Sequence, residues 1–300
     1  MSRTSCRWAG RDYAAPMQID NNGVTLHVAE DGNPDGPAVL FLHGIVSCAD
    51  TWNWALPDLV ATHRVLRLEF RGHGDSARAE GTYGLTNCVA DAIAVCEQVI
   101  GGPAVLVGHS LGGGTAAAVA QQRPDLVSAV LLEDPAIMAG SIDPVEGEPN
   151  ALLGVFAMMR ETVPMMQAGN VPVEMLVGIL GEGPSTDGRV MKDSMQPDAI
   201  LAMASGLLRL DVTVLDPVLA GVFDRVFDPY APIPVPGIVL AGDPAMPDTI
   251  VRAPEKALLA QYSPHIQVRT LAGAGHLIHD SLDHRDTMRA ALHEVLALAR

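Results

Sequence analysis

An α/β fold with a mostly parallel central sheet flanked by helices is predicted by three features of the sequence. Short apolar runs alternate with helical stretches along the chain, the pattern of strands joined by crossover helices. The run Ala104-Val105-Leu106-Val107 leads through Gly108-His109-Ser110-Leu111-Gly112 into Gly113-Gly114-Thr115-Ala116-Ala117-Ala118-Val119-Ala120, which reads as strand, sharp turn and tightly packed helix. Over about 136–232 the strand-like alternation disappears and then resumes, so an insertion interrupts the sheet's connectivity.

The elements follow in order. Val24-Thr25-Leu26-His27-Val28-Ala29 alternates and reads as a strand. Asp31-Gly32-Asn33-Pro34-Asp35-Gly36-Pro37 is dense in turn formers and is expected to end a hairpin. Ala38-Val39-Leu40-Phe41-Leu42 and Val65-Leu66-Arg67-Leu68-Glu69-Phe70 are the next strands. A helix is expected over 85–100, with Thr86 or Asn87 near its N-cap. Leu126-Val127-Ser128-Ala129-Val130-Leu131-Leu132 is a strand running into Glu133-Asp134-Pro135. The interval 136–232 carries nine of the thirteen methionines, side chains that adapt to irregular apolar shapes; they read either as ordinary core filling or as a pliable substrate pocket, with Met158 and Met166 the candidate substrate contacts. A strand Pro236-Gly237-Ile238-Val239-Leu240-Ala241, a helix over 254–261 and a strand Ile266-Gln267-Val268-Arg269-Thr270-Leu271 come next. The last helix, 286–299, gathers Met288, Leu292, Val295 and Leu296 on one face.

Composition narrows the possibilities. With 48% apolar residues the 300-residue chain has ample material for a core, and with 4% aromatics that core must rest on Leu, Val, Ala and Met. The net charge of −16 argues against nucleic acid or an anionic membrane surface as a partner. No apolar run approaches the ~18 residues of a membrane span. Residues 1–20 contain Arg3, Arg7 and Arg11 but no apolar stretch, so a flexible leader is expected rather than a secretory signal. The cysteines, Cys6, Cys48, Cys88 and Cys96, form no C-x-x-C pair and suit a reducing cytoplasm. Cys88 and Cys96 read as packing residues, while Cys48 follows the His43-Gly44 loop and is placed near the pocket. No zinc, dinucleotide or phosphate-loop motif is present, so neither metal nor cofactor is expected.

The chemistry centres on Ser110. A serine on a strand-to-helix turn is held in a strained backbone conformation, and glycines are needed around it because side chains would collide. Its hydroxyl needs a base, most often histidine. His276, in Gly273-Ala274-Gly275-His276 after the last strand, is the first candidate, and His279 is the fallback. His109 adjoins Ser110 in sequence, but adjacent residues on a turn point apart, so it reads as packing.

Taken together, Gly108-His109-Ser110-Leu111-Gly112, the strand ending in His43-Gly44, Arg71-Gly72-His73-Gly74-Asp75-Ser76 and Gly273-Ala274-Gly275-His276 resemble the α/β-hydrolase family, in particular its serine-nucleophile esterases and lactonases, over about 22–298. The resemblance implies a core of 21–135 and 233–300 with a helical cap, 136–232, inserted after the sixth strand. It implies oxyanion donors at the backbone N–H groups of Leu111 and Ile45, a bracing role for His43, and a structural one for Asp75. It leaves three candidates for the carboxylate that orients the histidine. Asp134 stands 24 residues beyond Ser110, Asp248 stands 28 residues before His276, and Asp243 directly follows the Val239-Leu240-Ala241-Gly242 run; Asp134 is placed first. The implied substrate is a small, mainly apolar carboxylic ester or lactone. Carbon–carbon bond hydrolysis, perhydrolysis and ligand binding without turnover are the alternatives. The absence of a proline two residues after Gly44, and a serine rather than an aspartate nucleophile, argue against epoxide hydrolase or dehalogenase chemistry.

Overall fold

Runs of branched and aliphatic residues buried at every position build the centre of the sheet. A computed structural model describes residues 17–138, 150–222, 224 and 226–299, together with the backbone of 7–8 and 11–12. Its strands are β1 (Met17–Asn21), β2 (Val24–Gly32), β3 (Ala38–Leu42), β4 (Arg64–Glu69), β5 (Ala104–His109), β6 (Val127–Glu133), β7 (Gly237–Ala241) and β8 (Ile266–Thr270). They form one eight-stranded sheet in the order β8-β7-β6-β5-β3-β4-β2-β1. Strands β3 to β8 run parallel, and β2 and β1 close one edge antiparallel. The fold is therefore the α/β-hydrolase fold with its mostly parallel sheet.

Alternate residues of the central strands feed two cores. Leu40, Leu42, Leu106 and Leu132 face the layer of α1 (Leu85–Val95) and α2 (Leu111–Gln122). Val39, Phe41, Val107 and Leu131 face Trp52, Trp54 and the last helix, α7 (Arg285–Leu298). Burial on both faces explains why these strands are continuous apolar runs, whereas β1 and β2 alternate. After β3 the chain steps to β4 on one side; β5 returns to β3's other side, and β6, β7 and β8 continue outward. This reversal leaves a crevice at the carboxyl ends of β3 and β5, the usual location of ligand sites in such sheets. Between β6 and β7 the described residues contribute α3 (Ala151–Ala168), α4 (Val173–Gly181) and α5 (Pro197–Leu208), packed around Phe156, Val163, Leu176 and Leu207, and α6 (Ala253–Tyr262) joins β7 to β8. No helix among the described residues is long and apolar enough to cross a membrane.

Local expectations needed three corrections. Residues 17–20, assigned to the leader, belong to the edge strand β1, which alternates over only five residues and is defined by pairing with β2 rather than by its own pattern. Of the leader, Arg7–Trp8 pairs with Arg11–Asp12, and the remainder lies outside the described residues. The hairpin is closed by Asn22-Gly23, both at positive φ (54° and 85°), an Asn-Gly turn whose twist suits antiparallel strands. The 33–37 turn instead leads to β3, which pairs with β4 and β5. Finally, α1 starts after Gly84, and the Thr86 N–H is met by the Asp224 carboxylate at 3.2 Å. The helix continues past Val95 as a π-helical turn, Cys96–Ile100, that ends at Gly101 with φ 72°.

The loop after β4 is anchored by a buried ion pair. Arg71 grips Asp91 of α1 through Nε (2.8 Å) and Nη2 (2.6 Å), and Asn21 of β1 donates to the same carboxylate at 2.8 Å. Asp91→Ala strands a buried guanidinium and should cost about 3–5 kcal/mol. A lower urea midpoint at unchanged m-value would show it.

Candidate active site

Ser110 is the single residue between β5 and α2. Its φ of 53° and ψ of −114° lie in a region that side chains avoid. The turn is enforced by close backbone approach: a Cβ on Gly112 would sit 2.1 Å from the Leu42 carbonyl oxygen, and one on Gly108 would sit 2.3 Å from that of Gly112. The Ser110 N–H donates to the Glu133 carbonyl at 3.0 Å, and its own carbonyl accepts from Gly114 and Ala136. The strain is thus held by packing from three elements. Ser110, Leu111 and Ile45 border one cavity of ≈ 990 Å³. The N–H groups of Leu111 and Ile45 have no acceptor among the described residues. Leu111 opens α2, where the first N–H groups have no partner inside the helix.

Of the three candidate carboxylates, one meets the His276 ring. His276 Nδ1 donates to Asp134 Oδ2 at 2.7 Å. Asp134 sits just past β6 with φ 35° and is fully buried. Oδ2 also accepts from the Ile250 N–H (3.0 Å), and Oδ1 accepts from the Val251 N–H (3.1 Å), the Thr249 hydroxyl (3.1 Å) and the Gly242 N–H (3.4 Å). These donors fix the carboxylate in place and aim it at the ring. With its proton on Nδ1, a neutral His276 keeps its lone pair on Nε2. Asp248 accepts instead from the backbone N–H of His276 (3.2 Å) and from Thr186 Oγ1 (2.7 Å), both at Oδ2. Asp243 staples its own loop, accepting from Gly273 N (2.7 Å) and Ala245 N (2.9 Å).

The other histidines near the crevice hold loops. His43 Nε2 accepts from the Phe70 N–H (3.1 Å), so its proton is on Nδ1, which donates to the Gly44 carbonyl (2.8 Å). Burial, aided by His73, pushes its pKa down to about 3. His73 contacts the carbonyls of Arg71 and Ile45, tying the loop after β4 to the loop after β3. His109 Nε2 donates to the His276 carbonyl (3.1 Å), and burial holds that ring well below the ordinary histidine range. His279 does not share the His276 position. Its Nδ1 lies 2.6 Å from Glu133 Oε2 and its N–H donates to Oε1 (2.8 Å). Glu133 was missed in the sequence, although two consecutive acids at a strand end matched by two histidines three residues apart were a visible signal.

The methionine expectation needs correction. Met158 is 54% exposed and Met166 packs within the helical insert; neither borders the cavity. Leu152 and Phe156, one turn apart on α3, face the cavity, which leaves Met158 about 200° around the helix from Phe156. Met138 is the cavity methionine among the described residues. Cys48 is buried with its thiol toward the Ala202 carbonyl, and burial pushes it up to about 12. It does not border the cavity among the described residues. His27, Glu69 and Asp75 bring metal-ligand atoms within 4.8 Å of one another, but Arg209 already supplies a cation, 3.5 Å from Glu69 and 3.3 Å from the exposed Asp75.

A pH dependence follows. The folded-state pKa values of His43 and His109 lie below the unfolded value of about 6.5, so the unfolded chain binds more protons in acid. Their contribution is complete above about pH 6.5 and is lost progressively as pH falls from there toward the folded-state values. His279, whose pKa is raised by Asp280 and Glu133 against the effect of burial, acts in the opposite sense. Calorimetry should show Tm falling below pH 6.5. The slope should be shallower in His109→Gln, which keeps a donor for the His276 carbonyl but no titrating ring.

Comparison with known proteins agrees with this architecture. The model of the Alpha/beta hydrolase family matches residues 39–291. The chain is 28% identical to the sn-1-specific diacylglycerol lipase of Mus musculus over 288 residues, covering 92% of this chain and 85% of the relative. It is 26% identical to the 2-(acetamidomethylene)succinate hydrolase of Mesorhizobium japonicum over 276 residues, covering 90% and 91%. The solved enol-lactonase of Burkholderia xenovorans superposes with a TM-score of 0.69 at 21% identity, covering 95% of this chain and 99% of that one. Sequence and fold together show that this chain belongs to the alpha/beta hydrolase family.

Proposed function

We propose that this hydrolase is a serine hydrolase that cleaves a carboxylic ester or lactone through an acyl-enzyme. The observation that carries the reading is the buried 2.7 Å Asp134–His276 hydrogen bond at the strand ends where the strained Ser110 turn faces the cavity. Ser110 Oγ attacks the carbonyl carbon while His276 Nε2 takes the hydroxyl proton. The N–H groups of Leu111 and Ile45 meet the oxyanion, and the N-terminal end of α2 favours the negative charge. Collapse breaks the bond to the alkoxide, which takes the proton from His276. Water, deprotonated by the same ring, then releases the acid. Asp134 holds the tautomer and stabilises the imidazolium. Residues 136–232 act as a cap over the core of 21–135 and 233–300. The relatives named as a diacylglycerol lipase and an enol-lactonase support ester or lactone chemistry.

The cavity supports an extended apolar substrate. It touches both Ser110 and Gln122, the two ends of α2, which are about 18 Å apart at 1.5 Å per residue. Two polar side chains at the far end, Gln121 and Gln122, are already engaged. Gln121 donates to the carbonyls of Asp228 (2.9 Å) and Ala231 (3.0 Å), and Gln122 to that of Val226 (3.0 Å). Leu152, Phe156, Ile137 and Val218 line the walls.

A series of acyl esters of increasing length, assayed with wild type and Ser110→Ala, tests the reading. Turnover by wild type alone is expected, with kcat/KM rising well beyond acetyl. A folded wild type that hydrolyses no ester and resists a fluorophosphonate would overturn it. Asp134→Asn should lower kcat by about 10³–10⁴-fold. Asp248→Asn and Asp243→Asn should stay within about tenfold of wild type, because neither carboxylate touches the ring.

A further inference from the structure

Beside the Asp134–His276 pair lies a second buried acid–imidazole pair. Glu133 immediately precedes Asp134, and His279 lies one loop turn past His276. The Glu133 carboxylate takes both the ring proton of His279 (2.6 Å) and its backbone N–H (2.8 Å). The far nitrogen, Nε2, meets Thr51 Oγ1 at 2.8 Å and Asp280 Oδ1 at 3.2 Å. Trp52 stacks on the ring at 4.5 Å, and the His109 ring packs edge-on at 5.1 Å. Arg285 of α7 donates to the His279 carbonyl at 2.6 Å and is itself paired with Asp198 of α5 at 2.7 Å. Glu133, His279 and Asp280 are all at least nine-tenths buried, and none of them borders the cavity.

This cluster is expensive to maintain. A buried ion pair contributes little net stability compared with apolar packing, so its value lies in fixing geometry. What it fixes is a segment with no helix or strand of its own: residues 276–279 are loop. That loop is held by Asp248 at the His276 N–H, His109 at the His276 carbonyl, Glu133 at the His279 N–H and ring, and Arg285 at the His279 carbonyl. Glu133, the last residue of β6, is the one partner that adjoins Asp134 in the chain.

We infer that Glu133 and His279 are positioning residues for His276, locking its loop to the strand end that carries Asp134. Because the two acids are consecutive, they clamp the loop at two points, and the ring of His276 meets Asp134 in one register. A catalytic ring must be held within about 0.5 Å of its productive position, and the residues behind it set that tolerance. The inference rests on the role proposed above for His276. It adds that the two histidines act in series: one faces the reaction and the other holds it in place.

Glu133→Gln tests this, since it keeps an acceptor for the His279 N–H and removes the charge. The substrate-independent readout is the downfield proton resonance of His276 Nδ1–H, which Asp134→Asn abolishes as a control. In Glu133→Gln the resonance should shift or broaden. kcat should fall about 10- to 100-fold with KM nearly unchanged. The apparent pKa of the acid limb of the kcat/KM profile should move. If Glu133→Gln lowers Tm but leaves resonance, kcat and pH profile as in wild type, the pair is only structural and the inference fails. If Glu133→Gln does not fold, Thr51→Val removes one of the two Nε2 partners and leaves Asp280 Oδ1 in place. It should show the same displaced resonance and profile more weakly, and wild-type behaviour there also overturns the inference. If wild type proves inert on esters, the resonance still decides the positioning role, so failure of the acyl reading and failure of this one are distinguishable.

Discussion

The structure around the crevice depends on keeping one buried carboxylate, that of Asp134, hydrogen-bonded on both oxygens away from water. A carboxylate excluded from water is tolerated only when its lone pairs are met by donors. Here the donors come from three separate segments: the end of β7 at Gly242, the 249–251 loop, and the His276 ring. Satisfying Asp134 therefore draws β6, β7 and the loop after β8 to one point. The strap that continues from Asp134 lies on α2, where Cβ atoms on Gly113 and Gly114 would strike Pro135 and Ala136. The Ala136 N–H donates to the Ser110 carbonyl, so the acid's turn and the serine's turn are parts of one hydrogen-bonded unit.

The second theme is the use of histidine as a structural ring. The chain holds 5 Phe, 4 Tyr and 3 Trp, few for its length, and imidazoles occupy places where aromatic packing is common. His43 packs against His73 at 4.9 Å, and His109 packs against His276 at 4.6 Å. Each ring offers a flat apolar face and two directed polar atoms, so it can fill space and brace a loop at once. The consequence is electrostatic. His43, His73 and His109 are driven toward the neutral form by burial, whereas His279 is held toward the charged form by its two carboxylates. Rings a few ångströms apart thus answer acid in opposite ways.

The described residues of the insert between β6 and β7 shape the space above Ser110 without adding a strand to the sheet. Its α3 presents Leu152 and Phe156 to the cavity while Val163 and Met159 form its own core. The far wall, 226–234, is tied to the end of α2 by Gln121 and Gln122, so the cavity runs along the same helix that begins at Ser110. The methionines prominent in the sequence mostly pack inside the insert or face water, as Met165 and Met175 do at 65% and 57% exposure.

Features that depend on near neighbours were legible in the sequence. The parallel strands announced themselves as apolar runs because both faces are buried. The Ser110 turn was visible because Gly108 and Gly112 are required within five residues by backbone contact. The hairpin at Asn22-Gly23 carried a local signal of the same kind that went unread. Features set by distant segments were not legible. Asp134, Asp243 and Asp248 are the same residue type in similar turns, and only the packing of β6 against β7 and the loop after β8 determines which carboxylate meets a ring 142 residues away. Glu133 looked like a strand end until the fold placed His279 against it. Which face of α3 borders the cavity follows from how the insert docks, not from the composition of the helix. The sequence by itself determined the α/β fold and the strained serine turn, because steric exclusion and hydrophobic periodicity act over a few residues. The tertiary structure alone decided the partners of the charged groups, because a buried charge takes its donors from whichever segments the fold brings within about 3 Å.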